Sequence, residues 1–187
     1  IPWTFFSTAF ATGTDSLVNN FPILSKVPIS STAFPLADTC SAFINFLLSL
    51  PVLLGAAVFF GVYPAWSWFC LPLLFIVLFF EAYCLTFIAA VANVYLRDVR
   101  HLVGIGVQIW MYLTPILYSV ERIPEAVRPW FYLNPFFVLF DCFHKVILQG
   151  IWPEPLAWLH LIAWTAVLLG AAFLLNLQVR FKIVERI

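Results

Sequence analysis

Apolar positions in this chain do not alternate with polar ones at a helix or strand period. They fill long unbroken blocks, with polar residues squeezed into short knots between them. Four blocks, 37–61, 69–95, 102–118 and 156–179, hold almost no charge. A helix rises about 1.5 Å per residue, so block 37–61 would extend about 37 Å, enough for a ~30 Å hydrocarbon core with some tilt. Blocks of this length predict helices that satisfy their own backbone inside a bilayer, hence an all-α, polytopic membrane protein. Residues 1–18 open apolar and drift polar through Thr12, Asp15 and Ser16, as the tail of a partial further span emerging into water would. The chain starts Ile-Pro-Trp, with neither an initiator Met nor a basic segment, which reads as a start in mid-helix with residues missing upstream.

The polar interruptions set the expected boundaries. Prolines at 22, 28 and 35 forbid a long helix over 21–36 and leave room for one short turn at 23–27, in a short amphipathic element on the membrane face. Asp38 falls in the first turn of block 37–61, where a carboxylate suits the helix dipole, a substrate contact being the other reading. In the same block Pro51 predicts a kink, and Asn45 is either interhelical glue or a ligand contact. Residues 62–68 form an uncharged hairpin with Trp66 and Trp68 at the interface. Glu81, near the middle of block 69–95, is the only ionisable group that deep, either a functional carboxylate or one protonated or hydrogen-bonded to a neighbouring helix.

Arg97, Asp98, Val99, Arg100 and His101 close that block, and charge this dense belongs at a membrane–water boundary. Gly104 and Gly106 lie two apart, on different faces, and make no dimer motif. Pro115 interrupts block 102–118 near its end. In the polar stretch 119–130, Ile123-Pro124-Glu125 predicts the start of a short helix. Within 131–149 too few apolar residues precede His144 and Lys145 for a crossing, so a re-entrant or surface-lying segment fits 119–150. Residues 152–155 turn the chain into its last block.

Composition sharpens this picture. The chain is 64% hydrophobic, 19% aromatic and 10% charged, against about 25% charged in soluble domains. Its formal charge is zero, yet the cations are sorted by position. Lys26, Arg97, Arg100, Arg180, Lys182 and Arg186 fall on the side of the charged knot, and Arg122, Arg128 and Lys145 on the other, with most of the acids. The positive-inside rule then makes the knot and the C-terminus cytoplasmic. Isolated cations without a basic patch give no nucleic-acid footprint. Cys40, Cys70, Cys84 and Cys142 lie scattered in apolar sequence and read as small buried hydrophobes.

Catalysis finds little footing. No phosphate-binding GxxxxGK[ST] loop, HExxH, GxSxG or paired carboxylates at helical spacing occur, and His101, His144 and His160 stand apart as interfacial or packed residues. A self-contained enzyme would have to use Glu81 as a base. A transporter without its own nucleotide site must receive work from a partner at its cytoplasmic edges, for which 21–28 and 95–101 are available, plain anchoring charge being the alternative. The aromatic residues could offer sliding contacts to sugar rings, although most of the twenty-one Phe fit ordinary lipid interfaces.

Several motifs, in order and spacing over nearly the whole chain, carry a resemblance. They are Pro2-Trp3-x-Phe5-Phe6-Ser7, Leu24-Ser25-Lys26-Val27-Pro28, Asn93-Val94-Tyr95-Leu96-Arg97-Asp98-Val99, Leu113-Thr114-Pro115-Ile116-Leu117-Tyr118, Ile123-Pro124 and Leu133-Asn134-Pro135. Together they resemble the membrane subunit of a bacterial type-2 ABC exporter, most of all the permeases for O-antigen, capsule and teichoic-acid polysaccharides. The resemblance implies a single transmembrane domain over 1–187 in the inner membrane, part of a six-helix subunit whose first span and amphipathic interface helix precede Pro2. It implies a homodimer bound to two ATPase subunits, which would hold ATP and magnesium, leaving this chain without a cofactor. Leu24, Ser25, Lys26, Val27 and Pro28 would dock on the ATPase, here with fewer basic residues than the family pattern. Tyr112, Pro115, Tyr118, Pro124, Trp130, Tyr132 and Pro135 would belong to outward gate helices around the pore. The implied cargo is a lipid-linked glycan; export of drugs or lipids by the same family is the alternative.

Overall fold

The computed structural model describes residues 1–24, 26, 30–116, 118 and 120–179, and among them the chain is helical, without a strand. Helix α1 (Pro2–Thr14) carries Pro2 at its first position, where the missing N–H has no intrahelical partner. Two single turns, α2 (Ser16–Asn19) and α3 (Phe21–Leu24), lead towards α4 (Ala33–Phe59). A 3-10 turn, Trp66–Cys70, runs into α5 (Leu71–Tyr95), and α6 (Val99–Tyr112) follows the charged knot. Then come a 3-10 turn at Val120–Arg122, α7 (Arg128–Phe131), α8 (Pro135–His144), a π-helical turn at Lys145–Gln149 and α9 (Pro155–Val179). Among the described residues, α4, the Trp66–Tyr95 helix and α9 are long and apolar enough to cross a membrane. The architecture is the all-α, polytopic one that the apolar blocks predict.

Helix α5 is the axis of the fold. Buried residues make up 67% of its apolar window, against 11% for α4 and 17% for α9, so α5 is packed by protein on most sides while the other two leave most of their apolar surface exposed. Small buried residues on α5, Ala82, Cys84, Ala89 and Ala90, let neighbouring backbones approach, which is how helices associate where no hydrophobic drive separates protein from lipid. The two ends of α5 carry different neighbours. Near Ala90 and Val91 the core includes Leu17, Leu24, Ala172 and Val179. At the other end the Ser67 hydroxyl donates to the Val146 carbonyl at 3.0 Å. Lys26 and the knot therefore share one end of the bundle, and Lys145 lies at the opposite one.

Four expectations are corrected. Helix α4 starts at Ala33 rather than 37, because Pro35 is its third residue, where no intrahelical acceptor awaits an N–H. Asp38 thus lies beyond the first turn and caps nothing. Block 102–118 yields only the fourteen residues of α6, about 21 Å against the ~30 Å of a hydrocarbon core. Pro115 stops it: the ring would strike the Met111 carbonyl, and Thr114 already bonds three residues back, to Met111, at 3.3 Å. The short helix predicted from Pro124 is a turn, in which the Pro124 carbonyl accepts from Val127 and Arg128, and α7 begins at Arg128. Asn45 is exposed on α4 and makes no interhelical hydrogen bond among the described residues.

The segment after α7 is not surface-lying. Helix α8 is ten residues long and buries Phe136, Phe137, Leu139, Phe140 and Phe143 among the other helices. Phe136 meets Phe6 at 4.3 Å and Trp110 at 5.4 Å between ring centroids, and Phe140 meets Trp3 at 5.8 Å. Phe6, Phe87, Phe136 and Phe137 are fully buried. These phenylalanines do packing work inside the bundle rather than lining the lipid interface, each ring pair adding about 0.5–1.5 kcal/mol beyond its buried area.

Candidate functional site

Two polar assemblies stand out against the apolar bundle. The first joins the end of α1 to the charged knot. Helix α5 ends where Leu96 adopts an extended backbone, and α6 restarts at Val99 with Asp98 at its cap position. Arg97, Asp98 and Arg100 are exposed, and among the described residues no carboxylate stands within ion-pair distance of either arginine. Arg100 Nε donates instead to His101 Nε2 at 3.3 Å. Behind them Asn93 is almost fully buried, 2% exposed, and its amide ties three segments together. Asn93 Nδ2 donates to the Thr14 carbonyl at 3.2 Å and to Asp15 Oδ1 at 2.9 Å, while Oδ1 accepts from the Arg100 backbone N–H at 3.3 Å. A cleft of about 230 Å³ opens beside this clamp, lined by Asp15, Asn19, Asn93, Arg97, Arg100 and His101.

On the same end lies what the structure describes of the predicted coupling element. Leu24 is buried against α5 and α9, and Lys26 is exposed on a turn whose N–H donates to the Ile23 carbonyl at 3.1 Å. Ser25, Val27 and Pro28 lie outside the described residues, as do Leu117 and the basic tail with Arg180, Lys182 and Arg186.

The second assembly gathers the aromatic and proline positions after α6. Asn134 caps α8: its Oδ1 accepts from the Phe136 N–H at 3.0 Å and from Trp110 Nε1 at 2.9 Å. Its Nδ2 donates to the Leu113 carbonyl at 3.1 Å and to Thr114 Oγ1 at 3.0 Å. One amide therefore locks the broken end of α6 onto the start of α8, with Pro115 and Pro135 buried on either side. The Tyr118 hydroxyl donates to the Tyr112 carbonyl at 3.0 Å, and Trp164 and His160 reach the Tyr132 carbonyl at 3.2 and 3.0 Å. Tyr112, Trp130 and Tyr132 leave their rings exposed, as does Pro124, so the structure brings Tyr112, Pro115, Tyr118 and Pro135 together and leaves Pro124 and Trp130 at the rim. Replacing Asn134 with alanine removes the cap and orphans a tryptophan N–H. The expected cost is about 2 kcal/mol, read as a lower midpoint of thermal unfolding in detergent.

Glu81 belongs to neither assembly. It is fully buried, and its Oε1 lies 3.4 Å from the hydroxyl of Thr165 on α9, whose one proton is shared between Oε1 and the nearer Leu161 carbonyl at 2.8 Å. Among the described residues its Oε2 is buried without a partner. The carboxyl thus joins α5 to α9 in the packed interior, the hydrogen-bonded alternative of the sequence reading. Among the described residues no group of His, Cys, Asp or Glu could hold a metal ion, and the four cysteines are free.

Asn93, Asp15 and Asn134 escaped residue-by-residue reasoning. Asn93 and Asn134 sit inside two of the motifs, but nothing in the motif spacing says that each amide bonds across 79 or 20 residues of chain.

The family model for "ABC-2 type transporter" matches residues 2–148. Among curated proteins, the O-antigen export system permease protein RfbA of Myxococcus xanthus is 29% identical over 92% of this chain and 67% of its own length. Two proteins of the same name from Klebsiella pneumoniae are 24% and 25% identical, covering 96% and 80% of this chain and 70% and 58% of their own lengths. With a match over most of its length, and a bundle of apolar helices edged by two polar assemblies, the chain belongs to the ABC-2 type transporter family.

Proposed function

We propose that this chain is the transmembrane subunit of an exporter that moves a lipid-linked polysaccharide of the O-antigen kind across the bacterial inner membrane. The work comes from ATP hydrolysed, with magnesium, in separate ATPase subunits. The observation that carries this reading is the similarity to O-antigen export permeases over 92% of the chain. Two permease copies and two ATPases form the working unit, with the C-terminus cytoplasmic. Lys26 supports the ATPase contact, since it is exposed at the same end as the knot, two positions after the buried Leu24. The Asn93 clamp gives such a contact a rigid route into α1, α5 and α6. The Asn134 lock holds α8 against the end of α6, where a gate would have to open.

Deletion of the gene in its own bacterium tests the cargo. Surface glycan should disappear and undecaprenyl-linked polymer should accumulate inside, both reversed by the wild-type gene. Normal surface glycan without that build-up would defeat the proposal, and a drug-resistance phenotype with intact glycan would favour the drug or lipid reading. Complementation with Lys26→Glu should restore protein level but not export. Glu81→Gln, which keeps the Oε1 acceptor and the volume, should restore export fully; loss of export with a folded protein would instead support a carboxylate-dependent role for Glu81.

A further inference from the structure

A cavity of about 440 Å³ lies between α8, the π-helical turn and the start of α9, within the size range of small-molecule sites. One wall is apolar: Phe137 and Val138 from α8, and Leu156, Leu159 and Ala163 from α9. The other wall holds Asp141, Lys145 and Glu154, which it shares with a second chamber of about 350 Å³ that adds Arg128, His144 and Gln149. The two chambers form one amphipathic space, greasy at one end and charged at the other.

The charges are unevenly paired. Lys145 Nζ and Asp141 Oδ2 form an ion pair at 2.9 Å. Burial alone would lower the Lys145 ammonium, but Asp141, helped by Glu154, holds it above its ordinary range, so it stays charged. An ammonium has three donors, and this pair engages one side of it. Arg128 Nη2 donates to the Ile123 carbonyl at 3.1 Å, while its Nε is buried without a partner among the described residues. Glu154 has no cation within ion-pair distance among the described residues. Burial keeps His144 below its ordinary value and therefore neutral at pH 7. What remains to be matched is a guanidinium with spare donors, beside a lysine, on one side and a lone carboxylate on the other. Their complement is a group carrying both charges.

The apolar end of the space opens on the outer flank of α9, where Leu156 and Leu159 are 72% and 63% exposed and continue into exposed Ile162. In a bilayer that flank meets acyl chains, so an occupant arrives from lipid rather than from water.

We propose that this space binds a zwitterionic phospholipid with a primary-amine headgroup, since the Glu154 carboxylate can accept hydrogen bonds that a primary ammonium donates and a quaternary one cannot. Its phosphate sits at Arg128 and Lys145, its ammonium at Glu154, and one acyl chain lies along Phe137, Val138 and Ala163. The site is separate from the cargo and stands whether or not that cargo is a polysaccharide. A polyprenyl phosphate carries the phosphate but no ammonium and places no positive charge against Glu154.

The test is native mass spectrometry of the full-length permease in detergent, titrated with dioleoyl phosphatidylethanolamine, phosphatidylcholine, phosphatidylglycerol and undecaprenyl phosphate. Phosphatidylethanolamine should bind about fivefold more tightly than the other three. Glu154→Gln, at an exposed position that leaves folding intact, should erase that preference. Arg128→Gln should weaken phosphatidylethanolamine and phosphatidylglycerol alike, and Ala163→Trp, which fills the apolar arm, should weaken every lipid. Equal binding of the four by the wild type, or tighter binding of undecaprenyl phosphate, overturns the proposal. So does an unchanged preference in Glu154→Gln, or the absence of bound lipid because another segment of the full-length protein covers the space.

Discussion

Gly13→Val should cost the helix core about 3 kcal/mol, and Gly13→Ala should cost less while being repaired by a second substitution at Thr86. Helix α1 meets α5 most closely here: a Cβ built on Gly13 would collide with the Thr86 methyl and lie 3.8 Å from the Asp38 Cβ. Thr86 cannot step aside freely, because it is fully buried on α5 and β-branched side chains have few χ1 choices in a helix. Its hydroxyl is already buried without a partner among the described residues, so removing it orphans none of them further. Alanine at 13 gains about 1 kcal/mol of intrinsic helix propensity, which the collision more than offsets. Thr86→Ala removes the colliding methyl, and the double variant should be more stable than Gly13→Ala alone by about 1–2 kcal/mol. The measurement is thermal unfolding of the four detergent-purified proteins of the cycle. Additive effects would show that the close approach of α1 to α5 does not set the cost.

The second large effect is expected at Asn93. Asn93→Asp changes almost no volume, yet it replaces the amide that donates to Asp15 Oδ1 and the Thr14 carbonyl with a carboxylate facing two acceptors. A buried site with like charges in contact and two lost donors should cost about 3 kcal/mol. The sign of the pH dependence follows from the pairing. The two carboxylates repel while both are ionised, so the penalty is present at neutral pH and shrinks as acid neutralises the pair. Asn93→Ala, which adds no charge, should cost less and show no such recovery. Export assayed alongside stability separates the clamp's two roles. If the clamp carries motion from the Lys26 end into α6, Asn93→Ala should lose more export than its lowered stability accounts for. Equal stability of Asn93→Asp and wild type at pH 7 would remove the clamp from consideration altogether.

How much of this could be read without coordinates depends on the kind of signal each feature leaves. Block 156–179 returned as Pro155–Val179, and block 69–95 as the Trp66–Tyr95 helix. Crossing a bilayer demands a minimum run of apolar residues, and a run is visible in one dimension. The knot at Arg97, Asp98 and Arg100 was equally legible, since charge is excluded from hydrocarbon whatever the packing. Pro35 misled because a proline forbids a helix interior but not a first turn, and which applies depends on where the helix begins. Pro115 gave the opposite lesson: the block ran past it to Tyr118, but α6 stops at Tyr112. Re-entrant and surface-lying placements of 131–149 share one composition, and only the rings around Phe136 decided for burial.

Sequence alone determined the fold class, the long helices and their polar edges, because water, hydrocarbon and the peptide group impose demands that each stretch of chain meets locally; the family came from the motif series instead. Tertiary structure decided which helix is central and which amides hold the ends together. Helices α5 and α9 have similar mean hydropathy, 2.4 and 2.0, but 67% of one window is buried and only 17% of the other. In water an amphipathic stripe would have told them apart. In a membrane the face that packs on protein and the face that meets lipid are both apolar, so the choice leaves no mark on the pattern and is settled by close fits such as Gly13 on Thr86.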